Sequence, residues 1–121
     1  MQFNESLDNH IMRERRFRMV EEQLRWRSVY DKRVLEAIKR VPRHLFLEQE
    51  HWDLAYGDHP ITIKRNMSLN QPYMIGLMLQ ALDVRPGHKV LEIGTGLGYQ
   101  TALIAEIAHQ VYSVEWQSEV L

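Results

Sequence analysis

Apolar positions recur with a helical period over much of the first third of the chain. Phe17, Val20 and Leu24 stand at i, i+3 and i+7, with arginine and glutamate on the other faces, which predicts a helix. A second helix is predicted through "KRVLEAIKRV": Asp31 caps it, Val34, Ile38 and Val41 form one stripe, and Pro42 ends it. "HLFLEQEHWDLAYGDHP" is mixed and reads as a short helix followed by a loop from about Gly57, and "ITIKRNMSL" is polar and irregular, without a period. A third helix is predicted with Asn70 as its N-cap and Pro72 in its first turn. Through "YMIGLMLQALDV" the apolar residues lie almost all the way round, so this helix is expected to be buried.

Beyond the "RPG" turn the period changes. "HKVLEI" is a short apolar run between Gly87 and Gly94, suited to a strand buried on both faces. "YQTALIAEIAHQ" follows as a helix with Leu103 and Ile107 on one side, and "VYSVE" as a second buried strand. Strand, glycine turn, helix, strand is a βαβ unit with an expected right-handed crossover. The expected fold is α/β, with N-terminal helices preceding the first βαβ of an incomplete doubly wound sheet.

Composition narrows the class. The chain has 121 residues and 45% apolar content, as expected of one domain or part of one. Fifteen basic and sixteen acidic residues leave no net field to attract nucleic acid or an anionic membrane. The absence of cysteine removes thiolate chemistry, and the six scattered histidines suggest no metal site. No apolar run approaches ~20 residues, and the charged N-terminus lacks a secretory pattern, so a cytoplasmic location is expected. The cluster "RERRFR" offers Arg13, Arg15, Arg16 and Arg18 as a phosphate patch or, preferably, a solvated helix face beside Glu14, Glu21 and Glu22. His44 reads as a packing or capping residue, and Trp26, Trp52 and Trp116 as partial core.

The stretch "VLEIGTGLGYQTALIA" carries the chemistry. Gly94, Gly96 and Gly98 fall where a strand turns into its helix, the place at which open α/β sheets bind ligands. The competing explanation is a tight turn packing the helix onto the sheet. Glu115 ends the second strand, 21 residues past Gly94, and a carboxylate near that offset can accept hydrogen bonds from ribose hydroxyls. The spacing G-x-G-x-G followed by Tyr99 departs from the dinucleotide pattern G-x-G-x-x-G, and Tyr99 is expected to crowd the helix N-terminus against a pyrophosphate. With Glu92 two residues before the first glycine, the pattern resembles the first motif of S-adenosylmethionine-dependent methyltransferases.

Further blocks sharpen that resemblance. "MVEEQLRWR", "RVLEAIKRVPRHLF", "AYGDHP", "NQPYMIGLMLQAL", "VLEIGTGLGYQTA" and "VYSVE", in this order from about Met19 to Glu115, resemble protein-L-isoaspartate O-methyltransferases. The resemblance implies a Rossmann-like fold and methyl transfer from S-adenosylmethionine to the free carboxylate of isoaspartyl residues in damaged proteins. It implies that Glu92, Gly94, Thr95, Gly96 and Gly98 line the methionine part of the cofactor, and that Glu115 holds the ribose. It divides the chain into an N-terminal helical segment (1–56), an active-site loop (57–72) and the first part of the cofactor-binding domain (73–121).

The loop departs from the family pattern. Relatives usually carry Gly-Gln-Thr-Ile-Ser before Gln-Pro-Tyr, with the serine in the active site. Here Ser68 stands for the threonine, Leu69 for the isoleucine and Asn70 for the serine, while Lys64 and Asn66 occupy positions where glycine is usual. Asn70 can preserve a helix cap, or it can donate from its amide to a substrate carboxylate. The family runs to roughly 200 residues, in keeping with a usual domain length. The expectation is therefore a truncated product, a fragment or a protein completed by a partner, with "HKVLEI" an unpaired edge open to self-association. A non-catalytic cofactor-binding or interaction module, or a variant methylating another carboxylate, is the alternative.

Overall fold

The computed structural model describes residues 4, 6–63 and 67–117. Helix α1 (His10–Met19) starts at Asn9, whose side chain accepts from the Met12 amide at 3.0 Å. It runs on through a wider turn at Val20–Leu24 and a tight one at Arg25–Arg27, and stops at Ser28 in the left-handed conformation. Phe17 does not join its buried stripe. Met12, Arg16, Met19, Val20 and Leu24 face inward and Phe17 is exposed. The widened turn shifts the period, and a charged residue takes an inward position.

That residue, Arg16, is only 2% exposed. Its two terminal nitrogens each bond Asp8 at 2.9 Å, Nη1 also donates to Tyr56 Oη at 3.1 Å, and Nε donates to the Lys39 carbonyl at 2.6 Å. His44 continues the network, with Nε2 3.0 Å from the Leu7 carbonyl and Nδ1 2.8 Å from Tyr56 Oη. A carbonyl only accepts, so in neutral His44 Nε2 carries the proton and Nδ1 accepts from the tyrosine. Neither sequence reading of "RERRFR" fits Arg16, which is neither a phosphate ligand nor a solvated charge.

Helix α2 (Lys32–Arg40) follows the sequence closely. Asp31 caps it by accepting from the Arg33 amide at 2.9 Å, and Val34, Ile38 and Val41 are buried. Two tight 3-10 turns follow, Arg43–Phe46 and Gln49–Leu54, with Trp52 wedged edge-on against His44. Trp26 and Trp116, in contrast, lie exposed and contribute no core.

The stretch read as irregular forms two strands. β1 (Ile61–Ile63) pairs antiparallel with β2 (Met67–Leu69) in the register Ile61–Leu69, Thr62–Ser68 and Ile63–Met67. Three-residue strands are too short to show a period, and pairing rather than patterning defines them. The changes at Lys64 and Asn66 lie outside the described residues.

Helix α3 (Pro72–Leu82) begins one residue later than expected, with Gln71, not Asn70, at the cap position. Only one face is buried. Ile75 and Leu79 face the core, and Gly76 lets α3 approach the first helix so closely that a Cβ there would stand 2.6 Å from Leu24. Met74, Met78 and Leu82 form an exposed row at i, i+4 and i+8, contrary to the all-round burial expected. Gln80 fastens the helix to the preceding loop, accepting from the Tyr30 and Asp31 amides and donating to the Ser28 carbonyl.

β3 (Lys89–Ile93), α4 (Tyr99–Ile107) and β4 (Gln110–Val114) make the βαβ unit, with Lys89–Gln110 through Ile93–Val114 paired in parallel. Val90 and Val111 pack on the core. On the opposite face Leu91, Ile93, Tyr112 and Val114 are exposed, Ile93 by 81%, so these strands are not buried on both faces. A second layer is required to cover that face, and none lies there among the described residues. One hydrophobic core runs from Met12 to Ile107. Among the described residues no helix is long and apolar enough to cross a membrane.

Candidate active site

β3 ends at Ile93, and the chain must reverse within five residues to start α4. Gly94, Gly96 and Gly98 achieve this with φ of 95°, 56° and 89°. L-residues pay about 1–2 kcal/mol in this region, which accounts for the glycine spacing. Space does not account for it: among the described residues a Cβ at Gly94 or Gly96 would meet nothing within 4 Å, and at Gly98 only Phe46 at 4.0 Å. No described residue fills the open side of the bend.

The bend is held from β4. Gly94 and Thr95 donate to the Val114 carbonyl at 2.7 and 3.2 Å. Beneath it, Glu92 is 7% exposed and accepts from the hydroxyls of Thr101 and Ser113, the latter at 2.6 Å, while Thr95 Oγ1 lies 2.5 Å from Ser113 Oγ. Glu115 turns toward the glycines: Oε1 accepts from the Gly96 amide at 2.8 Å and Oε2 from the Gln117 amide at 3.0 Å. The amides of Gln117 and Gly96 hold its carboxyl below the usual carboxylate range. Gly98 starts α4 without a side-chain cap, so the positive end of the helix faces the bend. Tyr99 does not crowd that end. It is buried and points into the core against Arg43 and Phe46, and burial pushes its phenol up to about 12.

A cleft of about 290 Å³ joins the bend to β2 and α3. Ser68 and Asn70 line it together with Glu92, Gly94, Thr95, Gly96 and Gly98, and Glu115 borders it through Gly96. Ile75, Met78, Ile93 and Leu97 add apolar walls. Asn70 and Ser68 are exposed, and the Asn70 carbonyl accepts from Arg43 Nη2 at 2.9 Å.

With this geometry in view, comparison with known proteins is decisive. The sequence profile of the protein-L-isoaspartate(D-aspartate) O-methyltransferase family matches residues 14–121. The chain belongs to that family. It is 54% identical over 100 residues to a protein-L-isoaspartate O-methyltransferase of Syntrophus aciditrophicus, covering 83% of this chain and 46% of the relative. It is 49% identical over 106 residues to one of Aeropyrum pernix, covering 85% and 41%. The fold matches a Plasmodium falciparum protein described as a protein-L-isoaspartate O-methyltransferase in complex with S-adenosyl-L-homocysteine, with TM-score 0.73 and 22% identity over 87% of this chain and 50% of that one. The chain thus spans about half the length of the curated relatives it matches.

Several contacts that support the cleft walls were not legible in the sequence. The family words "AYGDHP" and "NQPY" are physically joined: Gln71 Nε2 donates to Asp58 Oδ1 at 2.8 Å, and Asp58 pairs with Arg27, whose guanidinium lies over the Tyr73 ring. Hydrogen bonds from Arg27 and then Gln71 depress the Asp58 pKa. Thr101 and Ser113 hold Glu92. The available signal was a lone glutamate at an inward strand position, which requires donors.

Proposed function

We propose that this chain forms the S-adenosylmethionine-binding half of a protein-L-isoaspartate O-methyltransferase, and that the reaction served is methylation of the free carboxylate of isoaspartyl residues. The observation that carries this reading is the meeting of three left-handed glycines with the Glu115 carboxylate at one bend. The residues suit the cofactor. Open space over Gly94 and Gly96 admits a chain close to the backbone, and Glu115 keeps lone pairs for ribose hydroxyls beyond the two amides it binds.

When bound, S-adenosylmethionine supplies a methyl group already activated on a sulfonium. A substrate carboxyl with a pKa near ~3.5–4 is ionised at neutral pH, so no residue need remove a proton. The task left to this chain is alignment and exclusion of water. Glu115 and the bend orient the cofactor. Asn70 and Ser68 form the facing wall, where the exposed Asn70 amide is free to donate to the substrate carboxylate. Because Gln71 takes the cap position, the substrate role of Asn70 is preferred over a capping role.

Calorimetry with S-adenosylhomocysteine tests the cofactor half, with micromolar binding expected. Labelled methyl transfer to an isoaspartyl peptide against its aspartyl twin tests the reaction. Labelling of neither or both peptides equally rejects the repair activity, and absent cofactor binding rejects the site itself. The edge of β3 that no strand among the described residues pairs supports a further part of the proposal, self-association, for which sedimentation should reveal a concentration-dependent dimer.

A further inference from the structure

We propose that Arg43 is a positioning residue that ties the segment ending at Asn70 to the first turn of α4, holding the two walls of the cleft at one separation. The cleft's guest rests on the cofactor reading above, whereas the tie is a property of this chain alone. Arg43 is wholly buried. Its Nε donates to the Ala55 carbonyl at 2.6 Å, where the chain enters the loop, and Nη2 donates to the Asn70 carbonyl at 2.9 Å, where the loop ends. Its Cζ lies 5.2 Å from the centroid of the Tyr99 ring, and Tyr99 directly follows Gly98. Phe46, in the same 3-10 turn, meets Tyr99 at 5.6 Å and is the nearest neighbour a Cβ at Gly98 would find. One short turn therefore touches both the loop wall and the glycine wall.

Packing alone is a weak reason for a guanidinium here. Burial lowers its pKa, and Nη1 has no hydrogen-bond partner among the described residues. An apolar side chain of similar size would avoid both penalties. What a planar fork adds is direction, since two N–H groups reach two carbonyls at a fixed angle while the cation stands 5.2 Å from a ring centroid. A lysine keeps the charge and loses that geometry. Misplacement by about 1 Å between reacting groups can cost about 10²-fold in rate, so a fixed separation has value in an alignment-driven reaction.

The test is amide hydrogen exchange on the full chain without cofactor, comparing wild type, Arg43→Lys and Tyr99→Leu. Arg43→Lys should accelerate exchange about tenfold or more at 67–71 and 98–102, and less than about twofold at 34–40. Tyr99→Leu alters only the glycine wall, yet it should also accelerate 67–71. A general loss of stability would instead speed all segments together. If Arg43→Lys fails to fold, Tyr99→Leu decides. Unchanged exchange at 67–71 in either folded variant, or uniform acceleration, overturns the tie. Adding S-adenosylhomocysteine separates the two ideas: protection of 67–71 is expected in wild type and its loss in Arg43→Lys, while retained protection in that variant also overturns the tie. Failure of the wild type to bind rejects the cofactor reading, and the cofactor-free comparison still decides the tie.

Discussion

The polar network around Arg16 and the outer face of the β3–β4 sheet invert the usual distribution of residues. In the first, a guanidinium, a carboxylate, a phenol and an imidazole are buried together, and the groups bond one another or backbone carbonyls. In the second, Leu91, Ile93, Tyr112 and Val114 face outward with nothing over them among the described residues. The network is closed: it fastens the Leu7–Asp8 segment, α1 and the His44 turn from within. The sheet face is open and can still gain stability by acquiring a cover. Extended apolar patches of this kind mark interaction surfaces, which agrees with a chain spanning about half the length of its relatives. Buried charge here accompanies a region whose polar groups are satisfied from within, and exposed hydrophobicity a face that no described residue covers.

Removing a member of the closed network should have the largest effect. Arg16→Ala leaves Asp8 and Tyr56 without their cation and should lower unfolding free energy by about 3–5 kcal/mol, measured by urea denaturation. A loss below about 1 kcal/mol would show the network to be slack. His44 sharpens the same side through pH. Burial lowers its pKa from the ordinary 6.5, so the folded chain holds it neutral. The unfolded chain takes up that proton first. The contribution is therefore complete above pH 6.5 and declines as pH falls below it, ending below the depressed folded value. Melting curves of wild type and His44→Gln should accordingly converge between pH 7 and 5. Divergence would contradict a buried neutral imidazole.

Gly96→Ala tests the bend that borders the open face. With φ at 56° and no described residue within 4 Å of the added Cβ, the cost should be backbone strain alone, about 1–2 kcal/mol, together with weakened S-adenosylhomocysteine binding. Stability lost without any change in binding would make the bend merely structural. Ile93→Thr, on the open face, should change unfolding free energy by no more than about 0.5 kcal/mol while reducing self-association in sedimentation. A larger destabilisation would mean that the face is covered within the chain.

Legibility followed the range of the interactions. Helix α2 was readable in full, because its cap lies two residues from its partner amide and its stripe repeats every three to four residues. The glycine bend was readable because positive φ is a local demand that glycine meets best. The paired strands β1 and β2 were not, since neither shows a pattern apart from the other. Asn70 resembled a cap by type, but the proline fixed the helix start one residue further on. The exposed faces of α3 and the sheet were misread because apolar composition signals a need for cover without saying whether this chain supplies it.

By itself, then, the order of residues determined the βαβ unit, the bend with its acidic partner at the next strand's end, and the family. Tertiary structure decided which charges went inside. Arg16 and Arg43 look like their neighbouring arginines in sequence, yet Arg16 meets acceptors up to 40 residues away and Arg43 up to 27. The physical reason is that a buried cation is tolerable only where several distant carbonyls and side chains converge on it. That convergence exists only once the chain has packed.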